Sequence, residues 1–92
     1  MNTNDLKILR NKINWENAKN DKIVDFVHNI QDEIDKIQVE TDNTLYQIRI
    51  QVLLCDICIC SYKISTNRYY CKNVRKNIRE MFEICDKIET YL

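Results

Sequence analysis

The chain has 92 residues, 45% of them hydrophobic and 30% charged, with 14 basic and 14 acidic side chains and neither glycine nor proline. That length holds one domain, in which folding buries about 60 to 65% of the unfolded chain's surface. Without glycine there is no phosphate-cradling loop, nucleophile elbow or dinucleotide turn, because each needs backbone angles or a close approach that a side chain blocks. His28 is the only histidine, so no histidine pair is available for acid–base or triad chemistry within one chain, and the sequence reads as a non-enzyme without a cofactor.

Charge is balanced overall but not along the chain. Residues 1–43 carry six basic and nine acidic side chains, and residues 44–92 carry eight and five, giving 6 − 9 = −3 against 8 − 5 = +3. Such a split favours folding the halves onto each other, and equally favours head-to-tail pairing of two copies. Five cysteines, an odd number, fit a reducing compartment better than a closed disulfide framework. The first ten residues are polar, unlike a signal peptide. The most apolar window, 45–62, contains Arg49, Asp56 and two glutamines, which argues against a free membrane span. A cytoplasmic protein with no membrane partner is expected. Heavy use of Asn, Ile and Lys is what an AT-rich coding sequence yields, as in low-GC bacteria, their phages and some large viruses.

The first helix is expected to start after Thr3 or Asn4, with Asp5 in its first turn and Leu6, Leu9 and Ile13 on one face. Asn14 to Asn20 then reads as a connector, since asparagine tolerates the left-handed conformation that glycine would otherwise supply. Trp15 within it plugs the end of a bundle, the usual fate of a lone tryptophan in a small domain; the rival reading is an exposed binding anchor. Asp21 is placed to cap a second long helix whose seam is Ile23, Val27, Ile30, Ile34 and Ile37. Beside that seam runs an acidic stripe of Asp25, Asp32 and Asp35 with His28. The stripe reads as a solvated or cross-paired face, because a metal site needs donors from more than one helix.

Val39 to Thr44 breaks the pattern, with Thr41, Asp42 and Asn43 as turn or capping residues. The next helix takes Leu45, Ile48, Val52, Cys55, Ile59 and Tyr62 as its seam. It is apolar on other faces too, at Ile50, Leu53, Leu54 and Ile57, so it is expected at the centre and as the contact in a homodimer. A strand is the competing assignment, because Tyr46, Ile48, Ile50 and Val52 alternate; no second strand is on hand to satisfy its backbone. Ser65, Thr66 and Asn67 form the last turn and cap a final helix with a stripe of Val74, Ile78, Met81, Cys85 and Ile88, bounded by Cys71 and Leu92. Three such seams predict an all-α fold, a small three- or four-helix antiparallel bundle that oligomerises.

Two groups of side chains could carry a function. Cys55, Cys58, Cys60 and Cys71 have a spacing that superficially suits zinc, but on one helix residue 60 lies well round from 55 and 58, and buried small hydrophobes are the simpler reading. The second is a basic ridge on the final helix and its approach, Lys63, Arg68, Lys72, Arg75, Lys76 and Arg79 with Tyr69 and Tyr70 beside it, of which Arg68, Tyr69, Lys72, Arg75, Lys76 and Arg79 are the expected contact residues. Cations in the first turns of a helix face the positive end of its dipole and lose a few tenths of a kcal/mol each. Local stability alone would have placed them at the other end, and locally broken rules often mark function. Pairing with the acidic stripe of the second long helix is the alternative that would empty the ridge of meaning.

The function expected from this pattern is a non-enzymatic interaction module that docks on a larger protein. An inhibitor or adaptor of the phage- or virus-encoded kind, acting on a host defence or nucleic-acid enzyme, is the example in mind. An oligomer that binds nucleic acid or a phosphate-bearing nucleotide through the ridge, by charge and by stacking on tyrosine, is the second reading. A small cysteine-ligated zinc protein is the third.

Overall fold

A computed structural model describes all 92 residues, and every regular element in it is helical. In chain order these are α1 (Thr3–Lys12), α2 (Trp15–Asn20), α3 (Ile23–Lys36), α4 (Thr44–Ser65) and α5 (Lys72–Glu89). No strand forms over 45–62, in keeping with the argument that a lone strand has nowhere to place its hydrogen bonds.

Three of the five helices, α1, α2 and α4, begin at a side-chain cap, where polar side chains do work that glycine and proline do elsewhere. Asn2 and Asp5 make a reciprocal capping box at the start of α1, with Asp5 N donating to Asn2 Oδ1 at 2.9 Å and Asn2 N donating to Asp5 Oδ2 at 3.0 Å. Asn14 caps α2 by accepting from Glu16 N at 2.8 Å, and Asn43 caps α4 by accepting from Tyr46 N at 3.2 Å. Asn17 Nδ2 donates to the Asn11 carbonyl at 3.0 Å, satisfying one of the free acceptors at the end of α1. No residue has positive φ. The expectation that asparagines would turn the chain through the left-handed region is therefore not met; they turn it by capping with their side chains.

Three expected boundaries shift. The asparagine-rich connector is itself a short helix, α2. Asp21 does not cap the next helix: it closes α2, and Lys22 takes the N-cap position of α3 without a side-chain bond. The final helix starts at Lys72, with Cys71 as N-cap, rather than after Asn67. Ser65 and Thr66 instead finish α4, their hydroxyls donating to the Tyr62 and Lys63 carbonyls.

One cluster of 18 buried side chains forms the core. Leu6, Leu9 and Ile13 come from α1 and its C-cap, Ile23, Phe26, Val27 and Ile30 from α3, and Val74, Ile78, Met81, Cys85 and Ile88 from α5. The α1 and α5 residues are the stripes read from the sequence; on α3 the core takes Phe26, which the expected seam omitted, and leaves Ile34 and Ile37 only half-buried. Helix α4 is different. Its buried residues are Ile50, Leu54, Ile57, Cys60, Ser61 and Ile64, while Leu45, Ile48, Val52, Cys55, Ile59 and Tyr62 are exposed. The expected seam is thus the outer face, and the core face lies roughly 180° round the helix. Both faces have helical apolar spacing, so periodicity alone could not choose between them. The inner face is the one that carries Ser61, whose hydroxyl donates to the Cys58 carbonyl at 2.8 Å and accepts from Gln31 Nε2 at 3.4 Å. That pair of bonds satisfies the single buried polar side chain and ties α4 to α3.

Helix α4 packs on α5 and on α3, and α1 completes the circuit by packing on α3 and α5. Helices α3 and α5 thus lie across the core from each other rather than side by side. Trp15 is half-buried, packs against the core and sits 5.9 Å from the Phe82 ring, the plug rather than the anchor. The N-terminal ammonium donates to the Gln38 carbonyl, holding the start of α1 to the loop after α3. No helix is long and apolar enough to cross a membrane.

The choice of α4 face has a direct consequence for stability. Ile57→Ala should cost about 2 to 5 kcal/mol through transfer and cavity terms, whereas Ile59→Ala in dilute protein should stay within about 0.5 kcal/mol. Urea titrations followed by helical circular dichroism give both values.

Candidate functional site

Helix α5 is divided along its length. Val74, Ile78, Met81, Cys85 and Ile88 face the core, and Lys72, Arg75, Lys76 and Arg79 stand on the opposite side of its first half, all exposed. The second half carries Glu83, Asp86 and Glu89 instead. Arg68 and Tyr69, both exposed, lie in the connection between α4 and α5. Of the six residues expected to form a binding surface, four are on the outer side of α5 and two are exposed in the connection before it.

The structure resolves the question of pairing. The two ion pairs of the molecule both belong to Arg10 of α1, whose Nη2 lies 2.7 Å from Asp86 Oδ1 and 3.1 Å from Glu89 Oε2. These bonds hold the Arg10 guanidinium proton more tightly than usual, chiefly through Glu89. None of Arg68, Lys72, Arg75, Lys76 and Arg79 has a carboxylate within salt-bridge distance. The acidic stripe on α3 is exposed as well, at Asp25, His28, Asp32 and Asp35. The order of helices round the core explains why the two stripes do not meet: α3 and α5 are separated by α4 on one side and α1 on the other.

At the start of the ridge the surface is concave. A cavity of about 540 Å³ is bounded by α2, the first turn of α3 and the α4–α5 connection, with Lys19, Lys22, Arg68, Tyr69 and Tyr70 among its walls. Lys19 Nζ lies 5.6 Å from the centre of the Tyr70 ring, within cation–π range. Asp21 is the one acidic side chain there, so the lining holds three cations against one anion. Lys19 and Lys22 were not legible as part of the site from spacing, whereas Tyr70 was expected beside the ridge. Both lysines lie about 50 residues before Arg68 in sequence, so only the fold brings them to it.

The cysteines do not converge. All five are free; Cys55 is exposed, Cys58 and Cys71 are half-buried, and Cys60 and Cys85 are buried. No group of three or more histidine, cysteine, aspartate or glutamate side chains is arranged to hold a metal ion. Burial raises the Cys60 thiol to about 11, helped by Glu80, whose Oε2 lies 3.7 Å from the sulfur. Burial likewise lifts Cys85 to about 11, and Cys58 is raised for the same reason. Thiols held neutral in this way are poor nucleophiles and poor metal ligands. No protein-family model, no curated protein and no solved structure matches the chain.

Because the Cys85 thiol ionises in the unfolded chain near pH 9 but only near pH 11 when folded, its contribution is intact below about pH 9 and is lost as the pH rises towards 11. Stability measured by urea titration should fall over that window by on the order of 2 kcal/mol. Cys85→Ala lowers stability below about pH 9 and should flatten that part of the slope. Alkylation of Cys85, which is fully buried, should proceed only at the rate of unfolding.

Proposed function

We propose that this protein is a non-enzymatic interaction module, in which the exposed ridge of α5 and the basic cavity at its start dock an acidic face of a larger protein. The observation that supports it is that four cations share the outer side of α5, with Arg68 exposed just before it, and none has an intramolecular counter-ion, in a molecule whose two ion pairs both use Arg10. Holding Lys72, Arg75, Lys76 and Arg79 side by side costs self-repulsion, and Lys72 and Arg75 add the unfavourable helix dipole. A partner's carboxylates remove both costs on binding and steer its approach. Arginine contributes bidentate contacts that lysine cannot, so Arg68, Arg75 and Arg79 are the specificity-bearing members of the set. An inhibitor or adaptor in a cytoplasm, with its helices antiparallel and the chain oligomeric, is the form of the module proposed.

Nucleic acid or a nucleotide is the second reading, favoured by one specific feature. Tyr69 is 78% exposed beside Arg68 at the rim of the basic cavity, free to stack on a base.

Replacing Lys72, Arg75 and Arg79 together by glutamate should leave helical content intact, since all three are exposed and unpaired, and should abolish capture of the cognate protein from the source cell. Binding retained after reversal would remove the ridge from the reading. Affinity for a single protein that tolerates salt supports the docking module. Binding to RNA or DNA of mixed sequence that falls steeply with added salt supports the second reading instead.

A further inference from the structure

The outer face of α4 is the most conspicuous surface that neither the core nor the ridge accounts for. Leu45, Ile48, Val52 and Ile59 are each 53 to 54% exposed and Tyr62 is 71% exposed, with Cys55 exposed between them. Their steps are three, four, three, four and three. Over about 27 Å of helix this is a straight apolar seam of the kind that packs against another helix. No element of the chain covers it. Scattered apolar residues on a surface need no explanation, but a contiguous seam does.

We propose that this face pairs with the same face of a second copy of the chain, the two α4 helices running antiparallel about a twofold axis between residues 53 and 54. Two features point to that occupant and that direction. The step pattern reads the same from either end, so an antiparallel partner sets Leu45 opposite Tyr62, Ile48 opposite Ile59 and Val52 opposite Cys55, with no apolar side chain left over. The flank of the seam carries Arg49, Asp56 and Lys63, seven residues apart and alternating in sign. None of the three has an ion-pair partner within the chain. In the antiparallel register this flank meets its own copy, and Arg49 comes beside Asp56 of the other copy, twice by symmetry. The opposite flank is uncharged, at Gln51, Cys58 and Ser65. A parallel pair would bring Arg49 and Asp56 to that uncharged flank and leave both without a counter-ion.

The surface available is of the right order. Six side chains about half exposed leave on the order of 500 Å² of apolar surface per copy, the size of the largest patch on a typical monomer. Doubled, and with both flanks included, the contact reaches about 1,200 Å², the low end of specific interfaces. The groove beside Ile48 and Val52 adds Leu53, Tyr91 and two cations, Arg49 and Lys87, which suits the partner's Asp56. This dimer goes beyond the docking role of α5, since none of Arg68, Tyr69, Lys72, Arg75, Lys76 and Arg79 lies on α4.

Sedimentation of the full chain under reducing conditions should show a shift with concentration from 11.1 kDa to twice that mass. Val52→Lys and Ile59→Lys replace exposed residues, so helicity should persist while the dimer dissociation constant rises about a hundredfold or more. Alkylation of Cys55 should slow as the wild-type chain is concentrated and stay fast in those variants. Arg49→Asp should weaken the dimer, and Arg49→Asp combined with Asp56→Arg should restore it. Under mild oxidation Val52→Cys should form an intermolecular disulfide with Cys55, whereas a parallel pair would join Cys55 to Cys55. A compact 11.1 kDa species at high concentration overturns the proposal, as does a dimer indifferent to Val52→Lys. Failure of the charge swap to restore association, or Cys55-to-Cys55 linkage in preference to the mixed one, overturns the antiparallel register. Capture of a different protein by the seam while the chain stays monomeric overturns the second copy as occupant.

Discussion

The burial of the inner face of α4 against α5 and α3 is the contact on which the rest of the molecule depends. Ile50, Leu54, Ile57 and Ile64 contribute much of the apolar surface at the middle of the core, and the stripes of α3 and α5 both close on them. With neither glycine nor proline to shape tight turns, the chain relies on long helices and polar caps, so few alternatives to a packed helical core exist. Helix propensity contributes little to α3, where isoleucine is frequent; packing holds it. Ser61 and Gln31 add a directional tie within an otherwise apolar contact, and such satisfied polar pairs favour one arrangement of helices over its neighbours.

That contact also fixes where the charges go. Once α4 lies between α3 and α5 on one side and α1 on the other, the acidic stripe of α3 and the basic ridge of α5 face different directions. The acidic half of α5 is engaged by Arg10 from α1, while its basic half is left open. The exposed pairs of Arg10 add modestly to stability, as surface ion pairs do. Their larger effect is to leave the molecule with a polarised α5: one end internally satisfied, the other presenting positive charge to whatever approaches. The basic cavity continues this surface with lysines from α2 and the start of α3.

The ridge and the outer seam of α4 thus divide the surface by chemistry. One is charged, unpaired and suited to long-range steering; the other is apolar, suited to short-range burial. A small chain that cannot cover all of its own apolar surface has a physical reason to use more than one copy.

From the amino-acid order alone came the all-helical class, the number of long seams, a break between the second and third of them, the core stripes of α1 and α5, and most of that of α3. Each rests on local periodicity or local capping chemistry, which neighbouring residues suffice to set. What periodicity could not decide was which face of α4 turned inward, because Leu45, Ile48, Val52, Cys55, Ile59 and Tyr62 repeat as regularly as Ile50, Leu54, Ile57 and Ile64. Nor could it place α3 and α5 across the core from each other, or bring Lys19 beside Tyr70. Those outcomes depend on contacts between residues far apart in the chain, and only the competition among whole faces for one shared core selects them.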